Sequence, residues 1–421
     1  MRSKLVFRYC TFGVFCAAFT AWAHAEAAVT FHKDVEPILQ RNCLECHRAA
    51  GTNTMGMVAP MSFESFDATR PWAKAIAKQV EARTMPPWHA SEEFHGVFAN
   101  ERSLTDAEIE TVVSWAKTGA RRGNPDDAPP PVTFAGSGGW GIGEPDLVVE
   151  FDEPYLVRDH VQDEYANVMV TLTDEQLPKD RWIQAMDFRP GSEAVHHIVI
   201  YTGSYRESFG VGQGMLGGMG AGTNASVFPE GYGRLLPKNE RIIFNMHYHK
   251  ERGPGTAVYD SSSIAFKFHD KPVKHAVNWG AVGTTGFRIP AYADNHQVVA
   301  RETFRRDTIF LALFPHTHLR GKASKYVAHY PDGTKETLLH VPAYDFNWQT
   351  SYIYKEPKLI PAGTNVEVTM WYDNSEERAK SAGFDPSQAV GWGEPTTSEM
   401  MYGWVDYCDA RPMATTGRSG D

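Results

Sequence analysis

Six histidines stand in three pairs along a 421-residue chain: His196-His197, His247-Tyr248-His249 and His316-Thr317-His318. Imidazole is the commonest protein ligand for copper, zinc and iron, so paired histidines point first to metal chemistry. On a strand, side chains alternate faces, and a His-x-His word therefore directs both rings to one side. His316 with His318, and His247 with His249, can each reach a single ion in that way. Adjacent His196 and His197 point to opposite faces of a regular strand. Joint ligation by them needs a bulge, a strand end, or one ring using Nδ1 and the other Nε2.

A second chemical word lies upstream. Cys43-Leu44-Glu45-Cys46-His47 has the C-x-x-C-H spacing at which two thiols add to the haem vinyl groups and the following imidazole ligates the iron. Val35, Ile38 and Leu39 sit at helical spacing and lead into Cys43. After the motif, Thr105 and Glu108 form a capping box for a helix that buries Ile109, Val112, Val113 and Ala116 and stops at Gly119. Two helices bracketing C-x-x-C-H resemble a small class I cytochrome c, which needs a sixth iron ligand, usually a methionine sulfur. The candidates are Met55, Met57, Met61 and Met85, with His89 as the alternative. Met85 is favoured: Pro86-Pro87 hold the chain extended beside it, and its distance from the cysteines resembles the cytochrome c spacing.

Length and punctuation place these words in separate domains. A chain this long suggests two or three of them. Residues 29–123 form the helical, haem-bearing segment, and the Pro-rich acidic stretch within 124–137 reads as a linker. Beyond it the composition changes to short runs of β-branched and aromatic residues between turn residues. Examples are Asp146–Phe151, Ala166–Leu172, Ile198–Thr202, Arg241–His249, Ser263–Phe268, Thr308–Pro315, Lys325–Tyr330 and Asn365–Tyr372. Such spacing predicts β-sandwiches, and the length of the region predicts two. The expected fold is mainly β and multidomain, with a small α-helical domain in front. The Gly-rich insert 203–223 is expected to be a surface loop; a lid carrying Met215 and Met219 is the alternative.

Residues 1–25 read as a signal peptide, with Arg2, Lys4 and Arg8 before an apolar run and Ala23-His24-Ala25 as cleavage word. That run is too short to span a bilayer, and no later stretch is apolar enough. The expectation is an exported protein, periplasmic or secreted, that does not span a membrane. Processing leaves 38 Lys and Arg against 51 Asp and Glu, a balance of −13, which argues against a nucleic-acid partner. Of the cysteines, Cys43, Cys46 and Cys408 remain, too few for a disulfide framework.

The words around the histidines form a longer pattern. Ala194-Val195-His196-His197-Ile198, Asn245-Met246-His247-Tyr248-His249, Phe314-Pro315-His316-Thr317-His318-Leu319-Arg320-Gly321 and Ser398-Glu399-Met400 together resemble the copper type II, ascorbate-dependent monooxygenases, the family of peptidylglycine α-hydroxylating and dopamine β-monooxygenases. The resemblance covers roughly residues 138–410. It implies two copper ions: an electron-transfer copper at His196, His197 and His247, and an oxygen-activating copper at His316, His318 and Met400, the catalytic group. It also implies two jelly-roll sandwiches, 138–275 and 276–410, facing each other across a wet cleft, with 411–421 as a tail. Met401 and Met370 compete with Met400 as thioether donors, and His249 has no required role.

The implied reaction hydroxylates a C–H bond of a small organic substrate with O2. Its electrons would come from an external donor, a redox protein or an ascorbate-like reductant, through the fused haem. Phe314 stands where the peptide-hydroxylating member has an arginine, and Tyr402 where it has an asparagine, so a carboxylate anchor is in doubt. Cys408 stands alone where the animal enzymes carry several disulfides. Two other classes stay open: a haem and copper electron-transfer or copper-handling protein without oxygenase activity, and a zinc or iron hydrolase or dioxygenase.

Overall fold

The structure is a computed structural model that describes residues 28–48, 59, 61–132, 139–203, 215–220 and 225–413. The expected signal peptide, Met55, Met57, residues 133–137 of the linker, most of the Gly-rich insert and most of the tail lie outside the described residues. No described helix is long and apolar enough to cross a membrane.

The helical part gathers one buried cluster. A π-type turn Phe31–Val35 runs into the helix Glu36–Asn42, which ends at Cys43. Ala73–Glu81 and Asp106–Lys117 pack against it, and Phe31, Val35, Leu39, Val80, Val112 and Trp115 fill the space between. The capping box forms as its spacing predicts: Thr105 Oγ1 accepts the Glu108 N–H, and Glu108 Oε2 accepts the Thr105 N–H at 2.9 Å. On that helix Trp115 is fully buried while Ile109 is only partly so, because the Trp115 indole reaches the Arg121 carbonyl at 3.0 Å and docks beside Phe31.

The rest is mainly β, in several sheets. One has the order Leu147–Glu150, Ser263–Phe268, Arg181–Arg189, Tyr232–Leu236 and His275–Ala276; its companion is Asp163–Thr171, Arg241–His249, Val195–Thr202 and Met215–Gly220. Both contribute to a single cluster that includes Ile198, Phe244, Met246 and Phe266. A second pair of sheets runs Asn278–Gly283, Tyr402–Asp409, Thr308–His316, Tyr352–Ile360, and His296–Phe304, Thr364–Tyr372, Gly321–His329, Lys335–Val341. These enclose Phe310, Tyr326, Val368, Met370 and Met401.

The two halves meet directly. Cys408 and Leu311, from the second pair of sheets, are buried in the cluster of the first. A buried ion pair joins Arg234 to Asp406 at 2.5 Å. Lone Cys408 thus serves as a small apolar side chain at the joint.

Two features depart from expectation. Part of the Gly-rich insert is ordered, since Met215–Gly220 is a strand with Met215, Leu216 and Met219 buried. Its glycines permit close approach rather than disorder: a Cβ on Gly218 would stand 3.0 Å from the Ile198 carbonyl and 3.3 Å from the Trp279 ring. The second concerns residues 88–100, which leave the helices and pack on the last sheets. Trp88, Phe94, Val97 and Phe98 belong to the second β cluster, and Phe98 bridges to Tyr354 on the sheet edge. Backbone bonds Ala99 N–H to Ile353 O at 2.7 Å and Lys355 N–H to Val97 O at 3.0 Å complete the pairing.

Candidate functional site

Three histidine rings converge through a bulge. On Val195–Thr202, Val195 pairs with Tyr248 and His197 with His247, so His196 is the extra residue in the ladder. A bulge is one of the irregularities that let adjacent side chains turn to the same face. His196 Nδ1 lies 3.4 Å from His197 Nδ1, and His247 Nδ1 lies 3.3 Å from the same atom. One nitrogen from each ring falls in a group small enough to hold a metal ion.

The other face of His247 explains why its Nδ1 is available. His247 Nε2 donates to Asp163 Oδ1 at 3.0 Å, and His249 Nδ1 bonds the same oxygen at 3.0 Å. A ring whose second nitrogen is fixed by a carboxylate presents a defined lone pair to a metal. Tyr165 stacks flat on His247 at 4.3 Å. His249 itself is exposed, outside the converging group. Hydrogen bonding by His247 holds the Asp163 carboxyl down at about 2.

The second group sits on the facing half. His316 ends its strand opposite Tyr402, which places Met400, two residues before Tyr402, beside the same turn. His316 Nδ1 donates to Gln349 Oε1 at 2.7 Å, and His318 Nδ1 donates to the Ser398 carbonyl at 3.3 Å. Both Nε2 atoms keep their lone pairs. Met400 lines a cavity of about 150 Å³ together with His197, His316 and His318. The competing thioethers are elsewhere: Met370 and Met401 are 0 % exposed in the second hydrophobic cluster.

The turn between the ligands is clamped. Glu399, fully buried, accepts the His318 N–H at 2.8 Å and the Arg320 N–H at 2.7 Å. The Arg320 guanidinium donates to Asn374 Oδ1 at 2.7 Å and Thr397 O at 2.8 Å, and lies over the Phe384 ring. Tyr344 O–H donates to Thr317 O at 3.0 Å, and Tyr372 O–H to Met400 O at 2.8 Å. A Cβ on Gly321 would collide with the Thr317 hydroxyl and the Tyr344 ring, so the close turn requires glycine.

Burial keeps these rings neutral. It pushes His196 down to about 3 and His316 to about 4, and puts His197 and His318 well below the ordinary imidazole value. His247 is lowered less, because Asp163 favours its proton. Neutral imidazoles with free lone pairs are what a divalent or monovalent copper ion needs. The two groups also share walls. His197 and His316 have ring centroids 6.3 Å apart, much closer than a wet cleft between separate bodies implies.

Much of the cavity lining is aromatic. Trp279 and Trp404 lie 4.7 Å apart, Tyr402 packs on Trp404 at 5.1 Å, and Trp392 Nε1 donates to the Tyr402 hydroxyl at 2.8 Å. Phe314 is part of the lining, and no Lys or Arg is among the described lining residues.

On the helical part, Cys43 and Cys46 lie on the turn after Glu36–Asn42 and are not joined in a disulfide. Burial, with Cys46 and Glu108 nearby, pushes the Cys43 thiol up to about 12. His47 Nδ1 donates to the Met61 carbonyl at 3.1 Å, and its ring stacks on Phe63 at 4.2 Å. That bond leaves the Nε2 lone pair of His47 available to an iron. Met85 is 37 % exposed and lines a separate cavity of about 80 Å³ with Val80, Trp88, Leu104 and Ile109. His89 is bound through its backbone to the Tyr352 hydroxyl.

Sequence reasoning reached the ligand words and missed their supports. Asp163, Gln349, Tyr344, Phe346 and Tyr372 carry no motif; Glu399 and Arg320 were visible only as neighbours of the ligands.

No protein-family model matches the chain, and no curated relative matches it. Among solved structures it is similar to the major capsid protein P2 from bacteriophage PM2, at 8 % identity and a TM-score of 0.27, over 64 % of this chain and 98 % of that one. Infectious bursal disease virus Gx strain gives 9 % identity and a TM-score of 0.18, over 63 % and 82 %. Likeness at these scores carries no argument, and the site's own chemistry has to carry the functional reading.

Proposed function

We propose that this chain is a copper-dependent monooxygenase, which hydroxylates a C–H bond of a small organic substrate with O2 and takes its electrons through a c-type haem on Cys43, Cys46 and His47. The observation that carries the reading is the closeness of two different donor sets, joined where His197 of the first lines the cavity that His316, His318 and Met400 also line. His196, His197 and His247 offer three Nδ1 atoms, while His316 and His318 offer Nε2 beside the Met400 thioether. A three-imidazole set suits both copper oxidation states, and a thioether favours the reduced one that binds dioxygen. The resemblance to the copper type II monooxygenases assigns the same residues to the same two sites. It also suggests jelly-roll sandwiches over 138–275 and 276–410 behind a cytochrome c-like domain at 29–123.

When bound, copper supplies one-electron chemistry with dioxygen, and the haem a one-electron reservoir. The chain's own residues orient and exclude. Asp163, Gln349 and the Ser398 carbonyl hold one nitrogen each of His247, His316 and His318, fixing which lone pair is left for a metal. Glu399 and Tyr372 hold the backbone on both sides of Met400. The cavity is largely aromatic, carries Glu394 and has no lysine or arginine among its described lining residues, so it gives a substrate carboxylate no cationic partner. Met85 is the favoured sixth haem ligand, and an exported location suits covalent haem attachment.

The test is metal content followed by oxygen consumption with isotopically heavy dioxygen. Copper at both sites, and transfer of one heavy oxygen atom into product, is the expected result. Bound copper and haem without catalytic oxygen uptake would favour an electron carrier or copper-handling protein, and zinc or iron in the histidine sites would end the copper reading.

A further inference from the structure

We propose that Phe346 and Gln349 form a clasp that locks the two histidine groups together, held closed by residues 88–100 of the helical part. The functional meaning of the clasp rests on the copper reading above, although its geometry does not. The Phe346 ring lies parallel to His196 at 4.9 Å and 18°, and edge-on to His318 at 6.0 Å and 82°. His196 belongs to the first pair of sheets; His318 and Phe346 belong to the second. Gln349 accepts from His316 Nδ1 at 2.7 Å, and its own Nε2 donates to the Phe346 carbonyl at 3.2 Å. Phe346 thus touches one histidine of each group, Gln349 holds a second histidine of the later group and is tied to Phe346, and both are nearly fully buried.

The bulge makes such a restraint necessary. His196 is the unpaired residue in its ladder, so regular strand pairing does not set its ring direction. Phe346 supplies a flat surface that does, from the other half of the molecule. The clasp is itself tied down three residues beyond Gln349. Tyr352 packs on Trp88 at 5.0 Å, the Asn100 amide donates to Ser351 O at 2.6 Å, and Asn100 Oδ1 accepts the Ile353 N–H at 3.0 Å. Docking of the helical part is therefore linked through a short stretch of chain to rings at both metal-binding groups. Phe346 and Gln349 are positioning residues in this scheme, since they act through the histidines.

The experiment uses the full chain with Phe346→Ala, Phe346→Leu, Gln349→Ala and Asn100→Ala, and Phe346→Tyr as the conservative variant. Hydrogen exchange on the metal-free protein reads the clasp without any activity. Release of Phe346 should speed exchange several-fold both in 195–200 and in 316–319, leaving 335–341 unchanged, and Phe346→Tyr should restore protection. Phe346→Leu keeps apolar volume and covers the case in which the alanine variant fails to fold. Copper titration should show about tenfold weaker binding at His196, His197 and His247 in Phe346→Leu, the size expected when a supporting contact behind a ligand is lost. Asn100→Ala should shift exchange in the same two segments, by less. Unchanged exchange in these variants, or a change confined to 344–352, overturns the clasp whether or not copper binds. Absence of copper from the parent protein, with the exchange pattern as expected, overturns the copper reading and leaves the clasp standing.

Discussion

The carboxylate of Glu399 receives the backbone N–H of His318 at 2.8 Å. One residue before the thioether thus holds the backbone of one imidazole, so two ligands far apart in sequence are positioned by a single buried side chain. Glu399→Ala removes the acceptor of two buried backbone N–H groups, those of His318 and Arg320. Leaving buried donors without an acceptor costs about 1–3 kcal/mol each. Denaturant unfolding should show that loss, with Glu399→Gln intermediate because one amide oxygen still accepts.

Asp163 serves the other group. Asp163→Asn weakens the acceptor behind His247 Nε2, and copper affinity at His196, His197 and His247 should fall by about 10- to 100-fold. Competition with a chelator measures it, and His316, His318 and Met400 should bind as before.

Methionine variants separate ligand from core. Met400→Ala should keep the fold and abolish hydroxylation while the first copper and the haem stay bound. Met370 and Met401 are fully buried, so their alanine variants should each cost about 2–5 kcal/mol of stability through cavity formation. Thermal unfolding of the metal-free variants distinguishes the two behaviours.

The pH dependence of the metal-free protein follows from the lowered imidazoles. His196 and His316 are depressed from 6.5 to about 3 and about 4, so the unfolded chain takes up protons before the folded one. Their contribution is fully present above pH 6.5 and is lost as pH falls from 6.5 towards 4. The slope is on the order of 1.4 kcal/mol per group per pH unit. Chemical denaturation between pH 7.5 and pH 5, as chosen conditions, should show falling stability, and bound copper should shift the decline to lower pH.

Much of this was legible before any coordinates, and the reason is local. Arg241–His249 and Ser263–Phe268 form strands over the residues their β-branched and aromatic content predicts, and the Thr105–Glu108 box starts its helix. For the adjacent histidines the alternatives were a bulge, a strand end or mixed use of Nδ1 and Nε2, and a bulge stands at His196. What stayed hidden is long-range. Asp163 and His247 are 84 residues apart, Glu399 and His318 are 81, and no spacing rule joins them. The glycines of Met215–Gly220 resemble those of a mobile loop, because the sequence does not show the Trp279 ring that needs the room.

Residues 97–100 cover the outer edge of the strand Tyr352–Ile360, which is the last in its sheet. An uncovered edge presents unpaired N–H and C=O groups to any other strand, and native proteins blunt such edges. A chain trimmed to begin at the linker would bare this edge together with the apolar surface that Phe94 and Phe98 occupy. The helical part then guards against self-association whatever else it carries, and the β region expressed without it should aggregate.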